Sequence, residues 1–591
     1  MRRSLFRIAV PAALLLAASL PAWSFPSRMG WTRLDTPNFT LFGNAGERTA
    51  RKVGASLERL RSALGQLNPG LKLTSPKPTY IFVFRDDGSF GPYKLVYNGR
   101  RMEDIGGYFI TRPEANYVAV NGDWKVDRTS IIHHEYLHYI LSNNYPSAPV
   151  WLHEGMAELY STFSLGASEA RIGEAPLEHG VWLRRNPVMP LDKLFAVDVR
   201  SPAYNERSRR GDFYATSWAL AHYLVVGSPE RRGQTERFLQ ELSQGKPWRQ
   251  AFRHFGDEAA LQRELQAYAR GRLFPVQRVS VEPESALQVT VRPMSWPEVL
   301  SRLGTLLTSL DPSLFPQAAE HFRAALAEQP DYPAALAGLG VIEELSDRPL
   351  EARPYLEKAA RLAPDDFVIQ YLYGLNLLEP TPGPEELAAA RAAFTRAVEL
   401  SPELGEGWAR LAWVRGQEHP MPPEAVRLFE TAHRLLPSQL EVAYNLMLAY
   451  ARTGQREKAR ELMDRVVAVQ ADPEQVRQAQ KAFVQEGRWE AEELVGKRKL
   501  QEAALILEQI LPQASPQQRQ EVEDRLKEVR RVIAYNHYVD RWNEAIKLMD
   551  RLRDDEALKI FEELAATTPD PGQAEHARKM AEKIKRMKEG G

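Results

Sequence analysis

Two histidines and one glutamate in a short apolar segment have the types and the spacing needed to bind and use a metal ion. The segment reads Ile131-Ile132-His133-His134-Glu135-Tyr136-Leu137-His138. Residues four apart lie on the same face of a helix, so the imidazoles of His134 and His138 can bind one divalent ion. Glu135 follows the first of these histidines, where its carboxylate can reach a metal-bound water without binding the metal. The pattern therefore predicts metal-assisted hydrolysis with Glu135 as the general base.

A third ligand is predicted in a second segment, Trp151-Leu152-His153-Glu154-Gly155-Met156-Ala157-Glu158. This segment resembles the second zinc helix of the gluzincin peptidases, the group that contains thermolysin and the zinc aminopeptidases. In that group the third ligand is a glutamate in a Trp-Leu-x-Glu-Gly-x-Ala pattern. The resemblance implies that Glu154 completes a His-His-Glu zinc set with one position open for water. Glu158, one helical turn later, could accept a hydrogen bond from a ligand imidazole and orient it.

Together the two segments resemble the peptidase-MA-like gluzincins, in which a compact domain of this kind often precedes helical repeats. The resemblance covers about residues 30–270 and implies an α+β zincin-like fold, a Zn²⁺ cofactor and a peptide or protein substrate. The loop between the two segments is shorter than in thermolysin. The sequence also contains no Gly-x-Met-Glu-Asn segment, with which zinc aminopeptidases bind a substrate amino group. We therefore expect an endopeptidase, while exopeptidase activity stays open.

The resemblance also implies a tyrosine or histidine that stabilises the oxyanion and lies in the helical part after the zinc helices. The segment Asp212-Phe213-Tyr214-Ala215-Thr216-Ser217-Trp218 resembles the corresponding helix of the group. Tyr214 is therefore the leading candidate for a second catalytic residue. Tyr204 and His222 are alternatives, and a simple core position for Tyr214 is also open.

Interpretations without catalysis apply to the same residues. His133 is expected to pack or to support a ligand, because its side chain points about 100° away from that of His134. His153 could line the cleft or lie on the surface. A structural zinc site usually has four protein ligands, often thiolates, and the sequence has no cysteine to supply them. The more serious alternative is a degenerate, metal-free domain in a non-catalytic scaffold that binds proteins, and hydrolysis of a non-peptide bond is a third possibility.

The elements that must position these residues form a predicted mixed α/β domain over residues 25–275. Apolar runs predict strands at 38–42, 78–84, 107–110 and 116–120, the last two as a hairpin, and helical spacing predicts a helix over 47–67. From Asp127 onward the pattern is helical, which places both metal-binding segments on helices. A Pro- and Val-rich stretch over 276–296 predicts a short linker that contains β structure.

Residues 297–472 contain an internal repeat. Pro330, Pro364, Pro402 and Pro437 follow one another at separations of 34, 38 and 35 residues. Counting back twelve, eight and five residues from each proline gives a small, a large and a small apolar residue: Ala318, Phe322 and Ala325; Ala352, Leu356 and Ala359; Ala390, Phe394 and Ala397; Ala425, Phe429 and Ala432. Small residues let paired helices approach closely, and a large one fills the gap between them.

This repeat resembles the tetratricopeptide repeat, which implies an all-α solenoid that binds a protein partner in its concave face. A role as a mere spacer stays open. Residues 473–591 are predicted to be a C-terminal helical region. It contains a further repeat-like unit around 538–569, with Ala557, Phe561 and Ala565 at the same offsets, and a charged capping helix over 573–588.

The first 24 residues have the layout of a secretory signal peptide, with arginines before an apolar stretch over 8–20 and a small-x-small site at 22–24. We therefore expect an exported protein, periplasmic or secreted, with no stable membrane span after signal cleavage. Lys plus Arg and Asp plus Glu each number 77, so the overall charge does not favour nucleic acid as a partner. Without cysteine, disulfides and thiolate zinc sites are excluded.

Overall fold

The computed structural model describes most of the chain after residue 24. The described residues are 25–75, 77–97, 99–103, 105–123, 129–145, 148–198, 201, 204, 207–244, 246–271, 273–418, 420–437, 439–464 and 473–589. The predicted signal peptide lies outside them, so export stays a prediction. None of the helices in these ranges combines the length and the apolar character that a bilayer span requires.

The chain folds into two compact units, each of which combines separate stretches of the sequence. The first unit comprises residues up to 62, 78–132 and 281–382. The second comprises residues 63–77, 133–280 and 383–591, so it contains all the residues predicted to form the metal site. The domain boundaries predicted from the sequence, at 275, 296 and 472, remain predictions, and the last of them lies outside the described residues.

A six-stranded sheet lies in the first unit. The strands in the described part of the chain are β1 (Thr32–Asp35), β2 (Thr40–Gly43), β3 (Thr79–Phe84), β4 (Val96–Tyr97), β5 (Arg100–Arg101), β6 (Gly107–Thr111), β7 (Asn116–Asn121), β8 (Ser164–Leu165), β9 (Glu169–Ile172), β10 (Gln277–Ser280) and β11 (Thr290–Pro293). The sheet has the order β11-β1-β2-β3-β7-β6. Strands β2, β3 and β7 are parallel to one another, and the remaining pairs are antiparallel.

The predicted strands and the predicted hairpin of β6 and β7 are confirmed. The sequence did not predict β1, nor the parallel pairing. The segment predicted as a linker contributes strands to two sheets, because β11 pairs with β1 and β10 pairs with β9 in a three-stranded sheet of the second unit.

The helices account for most of the chain. They are α1 (Glu47–Leu67), α2 (Asp87–Phe90), α3 (Thr129–Asn144), α4 (Val150–Ser161), α5 (Leu177–Arg185), α6 (Leu191–Leu194), α7 (Arg207–His222), α8 (Arg232–Ser243), α9 (Trp248–Phe252), α10 (Glu258–Ala269), α11 (Trp296–Leu310), α12 (Phe315–Glu328), α13 (Pro333–Leu345), α14 (Pro349–Leu362), α15 (Phe367–Leu377), α16 (Pro384–Leu400), α17 (Gly405–Arg415), α18 (Pro423–Leu435), α19 (Leu440–Arg452), α20 (Arg456–Leu462), α21 (Pro473–Gly496), α22 (Leu500–Ile510), α23 (Pro516–Asp550), α24 (Asp554–Thr567) and α25 (Pro571–Glu589). The predicted helix over 47–67 is α1, with the same bounds.

One face of the six-stranded sheet packs against the start of the repeat region. Phe42 and Phe82 share a hydrophobic core with Val299 and Leu303 of α11. Successive side chains of a strand point to opposite faces, so Leu41 and its counterparts on neighbouring strands lie on the other face. Within the first unit the sheet and the first repeat helices therefore share one core.

The small and large residues at the repeat offsets are buried, as the spacing predicts. All twelve positions from Ala318 to Ala432 are at most 3% exposed. Phe322 illustrates the reason, since its ring fills the space beside Gly338 of α13, where an added Cβ would lie 2.2 Å from a ring carbon. Ala557 and Phe561 of the further repeat-like unit are also buried, in one cluster with residues of α23 and α25.

Candidate metal centre

Helix α3 is held so that one of its faces presents two histidines. Tyr136, Leu137 and Ile140 are each only 1% exposed and anchor the helix in the core. At the end of the helix, the Asn144 side chain accepts a hydrogen bond from the backbone N–H of Lys72 (2.7 Å) and donates one to its carbonyl oxygen (2.9 Å). The remaining face carries His134 and His138, which are partly buried.

Helix α4 lies close enough to α7 that only a glycine fits at the contact. A Cβ at Gly155 would lie 2.3 Å from the carbonyl oxygen of Ser217 on α7. Next to it, Trp151 stacks in parallel on Phe238 of α8, with ring centroids 6.4 Å apart. These contacts fix the position of Glu154, a buried carboxylate that is 3% exposed and points toward the two histidines.

The side chains of His134, His138 and Glu154 converge on one point. The two Nε2 atoms of the histidines are 3.1 Å apart. Glu154 Oε2 lies 3.6 Å from Nε2 of His134 and 3.5 Å from Nε2 of His138. Among the described residues, this is the one group of three or more histidine, cysteine, aspartate or glutamate side chains arranged to hold a metal ion.

The triangle fits a tetrahedral zinc ion. Zinc binds nitrogen and carboxylate oxygen at about 2.0–2.2 Å, so two ligands of a tetrahedral ion are about 3.3–3.6 Å apart. The three observed separations, 3.1, 3.5 and 3.6 Å, lie at or near that range. These separations show that the three side chains could hold one zinc ion between them.

Glu158 lies beside the first histidine, His134. Its Oε1 atom lies 3.7 Å from Nδ1 of His134, the ring nitrogen that faces away from the triangle. A carboxylate at this position favours a proton on Nδ1 and leaves the Nε2 lone pair for a metal. The second oxygen of Glu158 lies 3.2 Å from Nε2 of His179 on α5. His179 belongs to none of the motifs in the sequence and was not predicted.

The charges at this site affect one another strongly. Burial alone would raise the pKa of Glu154, but the imidazoles of His134 and His138 outweigh burial and lower this pKa to about 2. Burial alone would lower the pKa of His134, but the carboxylates of Glu154, Glu158 and Glu135 outweigh it and raise that pKa. The site therefore attracts positive charge, whether a proton or a metal cation.

Glu135 lies beside this triangle without being part of it. It follows His134 on α3, is partly exposed, and contributes its negative charge to the electrostatic environment of that histidine. This placement suits a group that exchanges protons with the reacting molecules rather than one that binds the metal.

One candidate tyrosine contacts Glu154 directly, and the other contacts the first tyrosine. The hydroxyl of Tyr204 donates a hydrogen bond of 3.1 Å to Oε1 of Glu154, the oxygen turned away from the histidines. The ring of Tyr214 stacks on the ring of Tyr204, with centroids 6.2 Å apart. Tyr204, which the sequence offered only as an alternative to Tyr214, is therefore in direct contact with a predicted metal ligand.

The other histidines considered from the sequence are His133, His153 and His222, and each contacts neighbouring side chains or backbone of the protein. His222 Nε2–H donates to the carbonyl oxygen of Gly173 (2.9 Å), and its Nδ1 accepts from the hydroxyl of Tyr268 (2.6 Å). Both ring nitrogens are thus in use, which argues against the oxyanion role considered for His222. His133 is 2% exposed and packs edge-on against Phe163. His153 stacks on His138, and burial lowers the pKa of His153 to about 4.

Replacing Gly155 with alanine should destabilise the contact between α4 and α7. The added methyl group would overlap the Ser217 carbonyl, and overpacking of this kind lowers the free energy of unfolding by about 1–3 kcal/mol. Urea unfolding followed by tryptophan fluorescence measures this, because Trp151 and Trp218 lie on these two helices.

Gly233→Ala is the matched control. Gly233 lies in α8, and nothing is within 4 Å of the position that its Cβ would take. Alanine should be neutral or stabilising there, because it has the better helix propensity. Equal stability of the Gly155→Ala and Gly233→Ala proteins would contradict the close contact of α4 with α7.

Comparison with known proteins identifies the repeats. A family model described as Tetratricopeptide repeat matches residues 421–482. The chain thus contains tetratricopeptide repeats, and these support a role in protein binding. A comparison with curated proteins gives no match.

Several solved structures are similar to part of the chain. One is YrrB, described as a TPR protein with an unusual peptide-binding site, with 24% identity over 31% of this chain and 90% of that chain and a TM-score of 0.27. Another is pilF of Pseudomonas aeruginosa, with 20% identity over 39% of this chain and 97% of that chain and a TM-score of 0.29. A third is a tetratricopeptide repeat protein from Parabacteroides merdae, with 14% identity over 50% of this chain and 98% of that chain and a TM-score of 0.24.

Proposed function

We propose that this chain is an exported zinc-dependent peptidase, an endopeptidase, whose tetratricopeptide repeats bind its substrate or an assembly to which it belongs. The observation that carries the proposal is the triangle of His134 Nε2, His138 Nε2 and Glu154 Oε2, with sides of 3.1, 3.5 and 3.6 Å. Three protein ligands and one open vertex are typical of catalytic zinc, whereas structural zinc is usually enclosed by four protein ligands. The gluzincin resemblance of the same residues supports this proposal.

The residues around the triangle have distinct roles in this proposal. His134, His138 and Glu154 would hold the zinc, which supplies a Lewis acid that polarises the peptide carbonyl and makes water more acidic. Glu135 accepts the proton of the attacking water and later donates it to the leaving nitrogen. Glu158 orients the His134 imidazole, and Tyr204 holds the outer oxygen of Glu154.

Substituting the two tyrosines should separate zinc binding from turnover. Tyr204→Phe removes the hydrogen bond to Glu154, and loss of such a supporting contact weakens zinc binding by about 10–100-fold. Tyr214→Phe should leave zinc affinity unchanged and lower kcat by about 10²–10³-fold, the usual effect of losing one oxyanion donor. Chelator competition measures the affinity, and cleavage of a fluorogenic peptide at saturating zinc measures kcat. An unchanged kcat in Tyr214→Phe would remove Tyr214 from the catalytic residues.

The proposed function is tested by metal analysis and by cleavage of an unstructured protein. The purified full chain should contain about one zinc per molecule. It should cut unfolded casein at internal bonds, lose this activity with a chelator, and regain it when zinc is added back. A chain that binds proteins through its repeats but neither holds zinc nor cleaves would instead be the non-catalytic scaffold. Release of single terminal residues, without internal cleavage, would support an exopeptidase.

A further inference from the structure

The side chains of His134, Glu158 and His179 form a continuous line of contacts that begins at the triangle of predicted metal ligands. Glu158 places Oε1 3.7 Å from Nδ1 of His134 and Oε2 3.2 Å from Nε2 of His179. All three side chains are largely shielded from solvent, with 18%, 18% and 12% exposed for His134, Glu158 and His179. The two oxygens of one carboxylate therefore face two histidines from different helices, α3 and α5.

We propose that His179 is a positioning residue, which holds the Glu158 carboxylate and through it the first zinc ligand, His134. The inference rests on the proposed function, in which this triangle binds zinc. It adds a residue that no sequence motif contains and that lies on a helix separate from both metal-binding segments.

The contact restricts a side chain that would otherwise be free to turn. A glutamate has three rotatable side-chain bonds, and one distant partner on Oε1 leaves several rotamers available. A second partner on Oε2 fixes the plane of the carboxylate. Since a carboxylate only accepts, the imidazole must donate through its Nε2–H. The Glu158 side chain is then set in the orientation in which Oε1 faces His134.

The burial of His179 Nε2 supports a hydrogen bond that this nitrogen donates to Glu158. This nitrogen is inaccessible to solvent and has no well-aligned hydrogen bond, and Glu158 Oε2 is a carboxylate oxygen within 3.2 Å of it. A buried N–H strongly prefers an acceptor, and this carboxylate oxygen lies within hydrogen-bond distance of it. Each oxygen of Glu158 therefore has an imidazole beside it, His134 at Oε1 and His179 at Oε2. These two imidazoles compensate the negative charge of the carboxylate.

His179 is well placed to act as a fixed support. Helix α5 begins after Pro176 and buries Gly180 and Leu183. The imidazole faces the indole of Trp218 on α7, with ring centroids 6.4 Å apart. Helix α7 is also the helix against which Gly155 of α4 packs. The support for Glu158 and the helix that carries Glu158 are thus both packed on α7.

Two substitutions of His179 separate the effect of its N–H donor from the effect of its side-chain volume. His179→Leu keeps much of the volume and removes the donor, whereas His179→Gln retains an N–H donor at similar reach. We expect His179→Leu to weaken zinc binding by about 10–100-fold and His179→Gln to stay within about threefold of the wild type. The measurements are chelator competition on the full chain and the visible spectrum of the Co²⁺-substituted protein, which should change only in the leucine variant.

A double variant tests whether His179 acts through Glu158. If it does, Glu158→Gln combined with His179→Leu should bind zinc no more weakly than Glu158→Gln alone, because the effects of coupled residues are not additive. Additive losses would overturn the proposal, as would equal zinc affinity of wild type and His179→Leu, or equal weakening in the leucine and glutamine variants. If the wild type binds zinc but cleaves nothing, the proposed function fails while these affinities still test His179. If the wild type binds no zinc, both proposals fail.

Discussion

Glu135→Gln should abolish peptide hydrolysis and leave the zinc content of the protein unchanged. The amide has almost the same shape as the carboxylate, so α3 and the ligands His134 and His138 keep their positions. It cannot take a proton from water at neutral pH, however, and the loss of a general base lowers the rate by about 10²–10⁴-fold. Because Glu135 is not one of the three converging ligands, metal binding should not depend on it.

The measurement combines cleavage of unfolded casein with metal analysis of the same preparation. Glu236→Gln is a matched control, since it makes the same chemical change at an exposed position of α8. The control should cleave at the wild-type rate. If Glu135→Gln cleaved as fast as this control, Glu135 would not be the base, although the zinc site itself would still stand.

His138→Ala should lose the metal altogether. Removal of the His138 imidazole leaves two predicted ligands, Nε2 of His134 and Oε2 of Glu154, which are 3.6 Å apart. Two protein ligands do not hold zinc against dilution or a weak chelator, whereas three ligands and a water do. We expect the zinc content to fall from about one per chain to near zero, and the cleavage of casein to fall with it.

A control for this variant is His537→Ala, which removes an exposed imidazole of α23. Its zinc content should equal that of the wild type. Circular dichroism of both variants should give the helix content of the wild type. Zinc that stays bound at one equivalent in His138→Ala would show that the ion occupies another site, and the enzymatic proposal would lose the observation on which it depends.

The two variants give different results for the two main interpretations. A zinc peptidase loses activity in both variants and loses zinc only in His138→Ala. A scaffold that binds proteins through its tetratricopeptide repeats shows no cleavage in the wild type, and neither substitution should affect partner binding. The repeats support protein binding in either case, so a partner captured by the repeats does not distinguish the two.

The sequence by itself predicted the features that have a local period. His134 and His138 are one helical turn apart, so their common face follows from helix geometry alone. The repeat positions from Ala318 to Ala432 follow from the spacing of four prolines, and their burial confirms them. The helix over 47–67 follows from the helical spacing of its apolar residues, and the strands around β3 and β7 follow from short apolar runs.

Only the tertiary structure decided which distant side chains meet. Glu154 lies on another helix than His134, and its direction depends on the packing of Gly155 against Ser217, which no periodicity encodes. The contact of Tyr204 with Glu154 and that of His179 with Glu158 join residues that are separated along the chain and belong to no shared motif. Such contacts arise when helices pack in three dimensions, because the chain between them places no constraint on which side chains face each other. The same reason explains why β11, in a segment predicted as a linker, pairs with β1 near the start of the described chain.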